Sequence, residues 1–589
     1  MTVYKAPLAD LAFVLHDLLG AEDVLGALPG WRDIDRPTIE RILGAAARLA
    51  EDELFPLNQS GDREGCVFEN GEVRTPTGFR AAFARFAAGG WCGLTAEEKW
   101  GGQALPRIID TAVLEIWGSA NLSFSDYALV IPAAVETIDR HAEESLKERY
   151  LPALVAGKWA ATMCMSEPHC GTDLGLLKTR AEPQDDGGYR LTGTKCFISG
   201  GEHDLASNIV HLVLARLPDA PAGVRGISLF LAPKYLADAK GGPGARNRVR
   251  AIGIEHKMGY AASATCTMAF EGAQAWLVGP PHRGLNCLFT MVNAARLAVG
   301  MQGLSLAETA YQSAAHYARE RLQSRAPAGA RFPDRPADPL IVQPDVRRML
   351  LNARAFIEAA RALALWTALQ LDIAARHQDA ATRERASDLA AFLTPAIKAG
   401  FSDWGFAACD DAMQIWGGHG YIRANGMEQL VRDVRLSRIQ EGANAIQALD
   451  LFGRKMAQNG GRAFRSLVEE IEKFLDGPGR APDMAEFSVP LAAALARTVE
   501  LVAWLGKQGD RNELAASGVD AMRVFVLMLF AWTWARIAHA CQGRTDAMAE
   551  GKRAVARHFF ARLLPLQPGH AAIAMAGAAS LMALADDQV

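Results

Sequence analysis

Four short segments of this 589-residue chain set chemically capable side chains beside glycine or proline. In the first, Met163-Cys-Met-Ser-Glu-Pro-His-Cys-Gly-Thr-Asp173, Pro168 and Gly171 shape a tight loop. Ser166, Thr172 and Asp173 there put short polar groups near open backbone N–H donors, which suits a flat polar ring, a phosphate, or simply a turn before a strand. In the second, Lys195-Cys-Phe-Ile-Ser-Gly-Gly201, period-two alternation places Phe197 and Ser199 on one face of a strand. An aromatic ring beside a hydroxyl can stack on a cofactor ring and hydrogen-bond its edge; Phe197 as ordinary core is the alternative. The third, Gln414-Ile-Trp-Gly-Gly-His-Gly-Tyr421, has Gly417, Gly418 and Gly420, which let a backbone approach a ligand closely or end a helix. His419 has no second His or Cys at ligand spacing, so no metal site is expected. The fourth, residues 432–447, sets Glu441 beside Gly442 ahead of an apolar helix, a common place for a carboxylate that satisfies a helix start.

These residues need elements to hold them. Apolar spacing of three and four predicts helices over 37–55, 78–88 and 145–155, within a helical domain spanning 1–159. Residues 160–281 change texture: short β-rich runs at 189–192, 208–215, 226–232 and 265–270, separated by Gly, Pro and Asp turns, predict a small antiparallel barrel or sandwich. The glycine-rich basic stretch 240–250 reads as a loop of that domain. From 282 to 456 long helices return, over 288–323, 344–377 and 395–416, with 324–339 as a connecting loop and a last helix through Ile446, Leu449, Gly453 and Met456. Residues 457–589 form a further helical domain with breaks at 459–461 and 477–482.

Composition removes several classes. A formal net charge of −4 gives no footprint for nucleic acid or an anionic membrane. Nine cysteines without a CxxC pair argue against a secreted disulfide framework and for a reducing, cytoplasmic setting; Cys92 and Cys287 read as small buried hydrophobes. The amino-terminal residues lack a basic start followed by an apolar run, so no signal peptide is expected. The apolar run 524–535 lies between Arg523 and Arg536 and is too short to span a bilayer, so it reads as a buried helix and no transmembrane segment is expected. No GxGxxG, P-loop or GxSxG occurs, which disfavours a Rossmann site, a nucleotide hydrolase and an α/β-hydrolase elbow.

In order, MCMSEPHCGTDLGLLKTRAE, GTKCFISGG, QIWGGHGY and RIQEGANAIQ resemble the acyl-CoA dehydrogenase family over roughly residues 81–456. YKAPL, EHKMGYAASATCTMAFEGAQAWLVG, MVNAARLAVGMQGL and IQALDLFGRKM, with the extra C-terminal helices, look most like the 3-methylmercaptopropionyl-CoA dehydrogenase-like subgroup. The resemblance implies a mostly helical α+β fold: an N-terminal helical domain, a middle β-barrel or sandwich and a four-helix bundle, plus the C-terminal helical domain. It implies FAD, with Met163, Met165, Ser166, Gly171 and Thr172 lining the flavin and nearby substrate and Phe197 and Ser199 meeting the isoalloxazine ring. Arg321, Gln414, Gly417 and Gly418 match positions that reach the FAD of a neighbouring subunit, which implies a homodimer. Thr172, Arg296 and Gly442 fall at acyl-CoA-contacting positions, and Glu441 aligns with the base that takes the α-proton while the flavin takes the β-hydride.

The implied substrate is a fatty acyl-CoA or 3-methylmercaptopropionyl-CoA, with electrons passed to electron-transferring flavoprotein. An acyl-CoA oxidase shares the half-reaction. A flavin-bearing DNA-binding relative calls for a basic C-terminal region, whereas residues 456–589 hold 14 Lys+Arg and 14 Asp+Glu. The sequence departs from the family's common pattern at Gln440 (tyrosine), Ala443 (threonine) and Ser324 (phenylalanine), and at Gln343 and Pro344, where a histidine or glutamine is frequent.

Overall fold

Strand-forming runs and long helices sort into two units in the computed structural model, which describes residues 2–238 and 241–589. One unit comprises Ala46–Pro106 and Ala120–Ala298. It opens with a hairpin, β1 (Val67–Glu69) and β2 (Glu72–Arg74), inside what the sequence reads as a purely helical stretch. Asn70 and Gly71 at its tip both take positive φ, as a two-residue turn between twisted strands demands.

The remaining strands are β3 (Trp159–Cys164), β4 (Arg180–Pro183), β5 (Tyr189–Ser199), β6 (Asn208–Arg216), β7 (Ile227–Pro233), β8 (Tyr235–Ala237), β9 (Pro243–Arg246), β10 (Val249–Ile254) and β11 (Thr265–Val278). The ladders run β11–β5–β4–β6–β7 and return to β11, which closes a barrel. It is not wholly antiparallel: β3 runs parallel to β6, from Trp159 opposite Asn208 to Cys164 opposite Val213. The cause is visible in the burial of β6, whose first eight residues are all buried, since parallel pairing goes with strands covered on both faces. Val213, Phe230, Phe270 and Ile198 fill the interior. The loop expected at 240–250 is largely strand: β9 pairs with β8, and the Arg246 guanidinium lies 5.0 Å from the Tyr235 ring centre. Lys240 itself falls outside the described residues.

The other unit comprises Met1–Ala45, Arg107–Ser119 and Val299–Val589. Its long helices include Pro344–Arg376, Ala380–Ile415 and Arg511–Ala540. Proline favours a helix's first turn, which suggested a start at Pro395; the helix instead begins at Ala380, capped by Asp379, and carries Pro395 within it. The apolar run 524–535 is the middle of a 30-residue helix, and every residue of it is buried. Trp534 Nε1 donates to the Ala355 carbonyl at 2.9 Å, and Trp532 meets Trp366 edge-on at 5.0 Å. These contacts fasten the C-terminal helices to Pro344–Arg376. Pro482–Leu505 and Arg511–Ala540 are long and apolar enough to cross a membrane by length and composition; 67% of the apolar window of the second is buried inside the protein.

A buried ion cluster completes the fastening. Arg361 grips both oxygens of Glu115, at 2.9 and 3.1 Å, and also bonds Glu308 at 2.6 Å and Asp10. Lys552, on the C-terminal helix Ala547–His558, bonds Asp10 and, at 2.9 Å, Glu358. Burial alone would raise the Asp10 carboxyl; Lys552 and Arg361 beside it hold it down at about 2. Removing one partner of such a buried pair leaves its counter-charge stranded. Lys552→Met is therefore expected to destabilise this unit by about 3–5 kcal/mol in chemical denaturation; a change below 1 kcal/mol, the ordinary range for exposed ion pairs, would contradict the reading.

Candidate active site

The barrel unit carries the first two constellations and brings them together. Met163 lies on β3 and the polar loop follows it; Met165 and Ser166 are half-buried, whereas Gly171 and Thr172 are exposed. The Ser166 carbonyl accepts the Cys196 N–H at 3.0 Å, and Lys195 Nζ donates to the Met165 carbonyl at 3.0 Å and to Glu167 Oε1 at 2.9 Å. Glu167 also accepts the N–H groups of Lys178 (2.8 Å) and Thr179 (2.9 Å) and the Thr179 hydroxyl (2.5 Å). Glu167, His169 and Cys170 bring potential ligand atoms within 4.8 Å of one another, but the Glu167 oxygens are already occupied by these four donors.

Phe197 is not core. It stands 67% exposed with φ +58°. Between the pairs Lys195–Met268 and Ile198–Cys266, β5 has two residues where β11 has one, so Phe197 sits on a β-bulge. A bulge re-aims a side chain, and a non-glycine residue in left-handed backbone costs about 1–3 kcal/mol that the surroundings must sustain. Ser263 Oγ donates to Asp126, on the helix Leu122–His141, at 2.8 Å; burial pushes that carboxyl up. An aromatic face presented to solvent, with a hydroxyl two residues on, fits a flat ring. Arg296, also of this unit, is half-buried on the helix Gly284–Glu320.

The helical unit carries the other two constellations. Glu441 has φ +53° and Gly442 φ +87°. The helix that follows starts at Asn444 with no side-chain cap, so Glu441 precedes its first turn rather than capping it. One Glu441 carboxylate oxygen is fully buried, although the residue as a whole is half-buried. Buried Gln447 donates to the Glu441 carbonyl at 2.8 Å and the Gly442 carbonyl at 3.1 Å. Gln440 Nε2 donates to Gln302 Oε1 at 2.5 Å, tying down the residue before the carboxylate.

Gln414, Gly417 and Gly418 are exposed at the end of Ala380–Ile415. Trp416 stacks on Tyr317 at 4.3 Å and anchors this turn. The three glycines serve different ends. Gly417 has φ +57°, and a side-chain atom added at Gly417 or Gly418 would meet open space, as a ligand approach requires. Gly420 is buried, and an added atom would lie 2.4 Å from the Met413 carbonyl, so it is a packing glycine and not part of the open strip. Arg321 is exposed just past Gly284–Glu320. The loop after it is ordered by buried Asp338, which accepts the N–H groups of Ala326 (2.9 Å), Arg331 (3.0 Å) and Phe332 (2.8 Å). Reading the sequence missed the anchoring roles of Glu167, Lys195, Asp126, Gln447 and Asp338. Glu167, Lys195 and Gln447 lie inside the quoted motifs, a usable signal; Asp126 and Asp338 offered none.

Residues 37–158, 162–273 and 282–456 match the family models for the N-terminal, middle and C-terminal domains of acyl-CoA dehydrogenases, and 467–585 match an acetyl-CoA dehydrogenase C-terminal-like model. The chain is 40% identical over 513 residues to a 3-methylmercaptopropionyl-CoA dehydrogenase of Ruegeria pomeroyi, covering 86% of each. It is 33% identical over 595 residues to a broad-specificity linear acyl-CoA dehydrogenase, FadE5, of Mycobacterium tuberculosis, covering 96% of each. The fold matches an acyl-CoA dehydrogenase from Bacillus anthracis solved with FAD, at TM-score 0.74 and 20% identity, over 98% of this chain and 92% of that one.

The Glu167 anchor gives a pH test. Burial would raise its carboxyl, yet Lys195 and the Thr179 hydroxyl hold it down at about 2. An unfolded glutamate titrates near about 4.3, so the stabilisation is complete above that value and is lost as pH falls through about 2. Glu167→Gln is expected to be less stable than wild type at neutral pH, with a shallower loss of stability across that acid window. Parallel acid-denaturation curves for the two proteins would contradict the assignment.

Proposed function

Because the chain belongs to the acyl-CoA dehydrogenase family and is an oxidoreductase of that family, we propose that it binds FAD and converts an acyl-CoA thioester to the 2-enoyl-CoA, with Glu441 as the base. The observation that carries this is the turn at Glu441: strained backbone, a carboxylate with one oxygen out of water, and no capping duty. Strained backbone concentrates where function maintains it.

An α-hydrogen of a thioester is barely acidic, so the base must be stronger than an ordinary carboxylate. Desolvating a carboxylate supplies that strength by disfavouring its charged form. Negative charge that develops on the thioester oxygen requires a fixed donor, and the Glu441 backbone N–H, held by the same turn, is the candidate. FAD, when bound, supplies the acceptor for the β-hydride. Met163, Met165, Ser166, Gly171 and Thr172 line flavin and substrate in this reading, and Phe197 and Ser199 hold the ring. Thr172, Arg296 and Gly442 contact the acyl-CoA. Arg321, Gln414, Gly417 and Gly418 serve the cofactor of a second copy, which makes the enzyme a homodimer, and electron-transferring flavoprotein is the electron acceptor.

We take the four functional segments as residues 1–159, 160–281, 282–456 and 457–589. The substrate is a linear fatty acyl-CoA or 3-methylmercaptopropionyl-CoA, the two chemistries carried by the relatives above. All nine cysteines are free, which supports a cytoplasmic setting.

Anaerobic rapid mixing tests the assignment. Glu441→Gln, with its FAD content retained, is expected to reduce flavin about 10²–10⁴-fold more slowly than wild type; reduction at the wild-type rate would sink the base assignment. Across a panel of linear acyl-CoAs that includes 3-methylmercaptopropionyl-CoA, wild type should reduce its flavin with at least one member. Reoxidation should be fast with electron-transferring flavoprotein and slow with oxygen.

A further inference from the structure

Left-handed backbone at both Glu441 and Gly442 needs something to stop the turn relaxing. The Gly442 carbonyl accepts from two side chains on different helices: Lys398 Nζ at 2.8 Å, from Ala380–Ile415, and Gln447 Nε2 at 3.1 Å, from Asn444–Asp450. Both donors belong to residues with 0% exposure. A carbonyl oxygen has two lone pairs, and here both are filled. Lys398 also donates to Asn444 Oδ1 at 3.0 Å, and the Asn444 amide donates to Ser402 Oγ at 3.0 Å and Asp403 Oδ1 at 2.9 Å. Ser402 and Asp403 lie about one turn along the helix from Lys398, so one helix face holds both ends of the segment from Gly442 to Asn444.

We propose that Lys398 is a positioning residue for the reaction: its ammonium, by holding the Gly442 carbonyl and Asn444, fixes the peptide planes that aim the Glu441 carboxylate and N–H. The inference rests on the base assignment above. A neutral donor would make a weaker bond, because a charge-assisted hydrogen bond is roughly twice as strong as a neutral one. A lysine stem also reaches the carbonyl from within the neighbouring helix without breaking that helix's own ladder. Swinging the Gly442 carbonyl away would take a bonding partner from a fully buried ammonium, so the turn and the helix move together or not at all.

Lys398→Met keeps the apolar stem and removes the donors. In the FAD-loaded enzyme it is expected to leave cofactor content and the dissociation constant for acyl-CoA unchanged while the flavin-reduction rate constant falls about 10²-fold, the size of loss that about 1 Å of misplacement produces. Amide hydrogen exchange, read by mass spectrometry, should rise in peptides covering residues 437–447 and not in the barrel. Lys398→Arg, which keeps the charge, should recover part of the rate. A wild-type rate constant in Lys398→Met, or a loss confined to acyl-CoA affinity with unchanged exchange at 437–447, would overturn the proposal. If Lys398→Met does not fold, Gln447→Met removes the other donor to the same carbonyl and carries the same expectations. Glu441→Gln, run alongside, separates the two claims: a fast Glu441→Gln enzyme ends the base assignment, whereas amide exchange in Lys398→Met still reports on the clamp.

Discussion

A backbone turn held against its own strain is the constraint on which the rest of the helical unit is organised. Glu441 in left-handed conformation costs about 1–3 kcal/mol and persists only where the surroundings over-determine it. Gln447 and Lys398 supply that over-determination from two helices, and Gln440 adds a tie to Gln302 from the chain before the turn. Lys398 sits on the 36-residue helix Ala380–Ile415, which packs against Pro344–Arg376, the helix whose Glu358 and Arg361 belong to the buried ion cluster. A charged cluster of this kind contributes little net stability compared with apolar packing, but it penalises any other arrangement of the helices that bear it. The C-terminal helices thus act in the same direction as the turn: Lys552 brings Ala547–His558 to Asp10 and Glu358, and Trp534 brings Arg511–Ala540 to Ala355.

The barrel unit solves a comparable problem with different parts. There Phe197 is one of the non-glycine residues at positive φ, and a bulge rather than a clamp aims it outward. The loop after β3 is anchored to the same strand by Lys195, whose partner Glu167 gathers three further donors. Phe197 and Glu441 are among the non-glycine residues at positive φ in their units, and each lies beside hydrogen-bonded buried polar groups.

Much of this was legible in the sequence. Alternation in GTKCFISGG predicts Phe197 and Ser199 on one face; Phe197 is exposed, but through a β-bulge and left-handed backbone that alternation does not foresee. The order of helical, β-rich and helical stretches gave the mostly helical α+β fold, because apolar periodicity reports burial directly. What stayed hidden depended on partners distant in sequence. Lys398 looks like an ordinary helix lysine until its Nζ is seen on Gly442, and Asp126 gives no sign that Ser263, far along the chain, will bond it. Local composition also misled. Glycines at 241–244 suggested a loop where β9 pairs with β8, Pro395 suggested a helix start where the helix continues, and Gly420 looked like its neighbours although it answers to packing against Met413.

Proton transfer between a thioester α-carbon and the Glu441 carboxylate is the step proposed for this turn. Solvent-deuterium incorporation into 3,3-dimethylbutyryl-CoA, followed by NMR, isolates that step, because this thioester has α-hydrogens but no β-hydrogen to lose. The FAD-loaded wild-type enzyme should exchange the α-hydrogens, and Glu441→Gln should not. Equal exchange by the two proteins would mean that another group is the base.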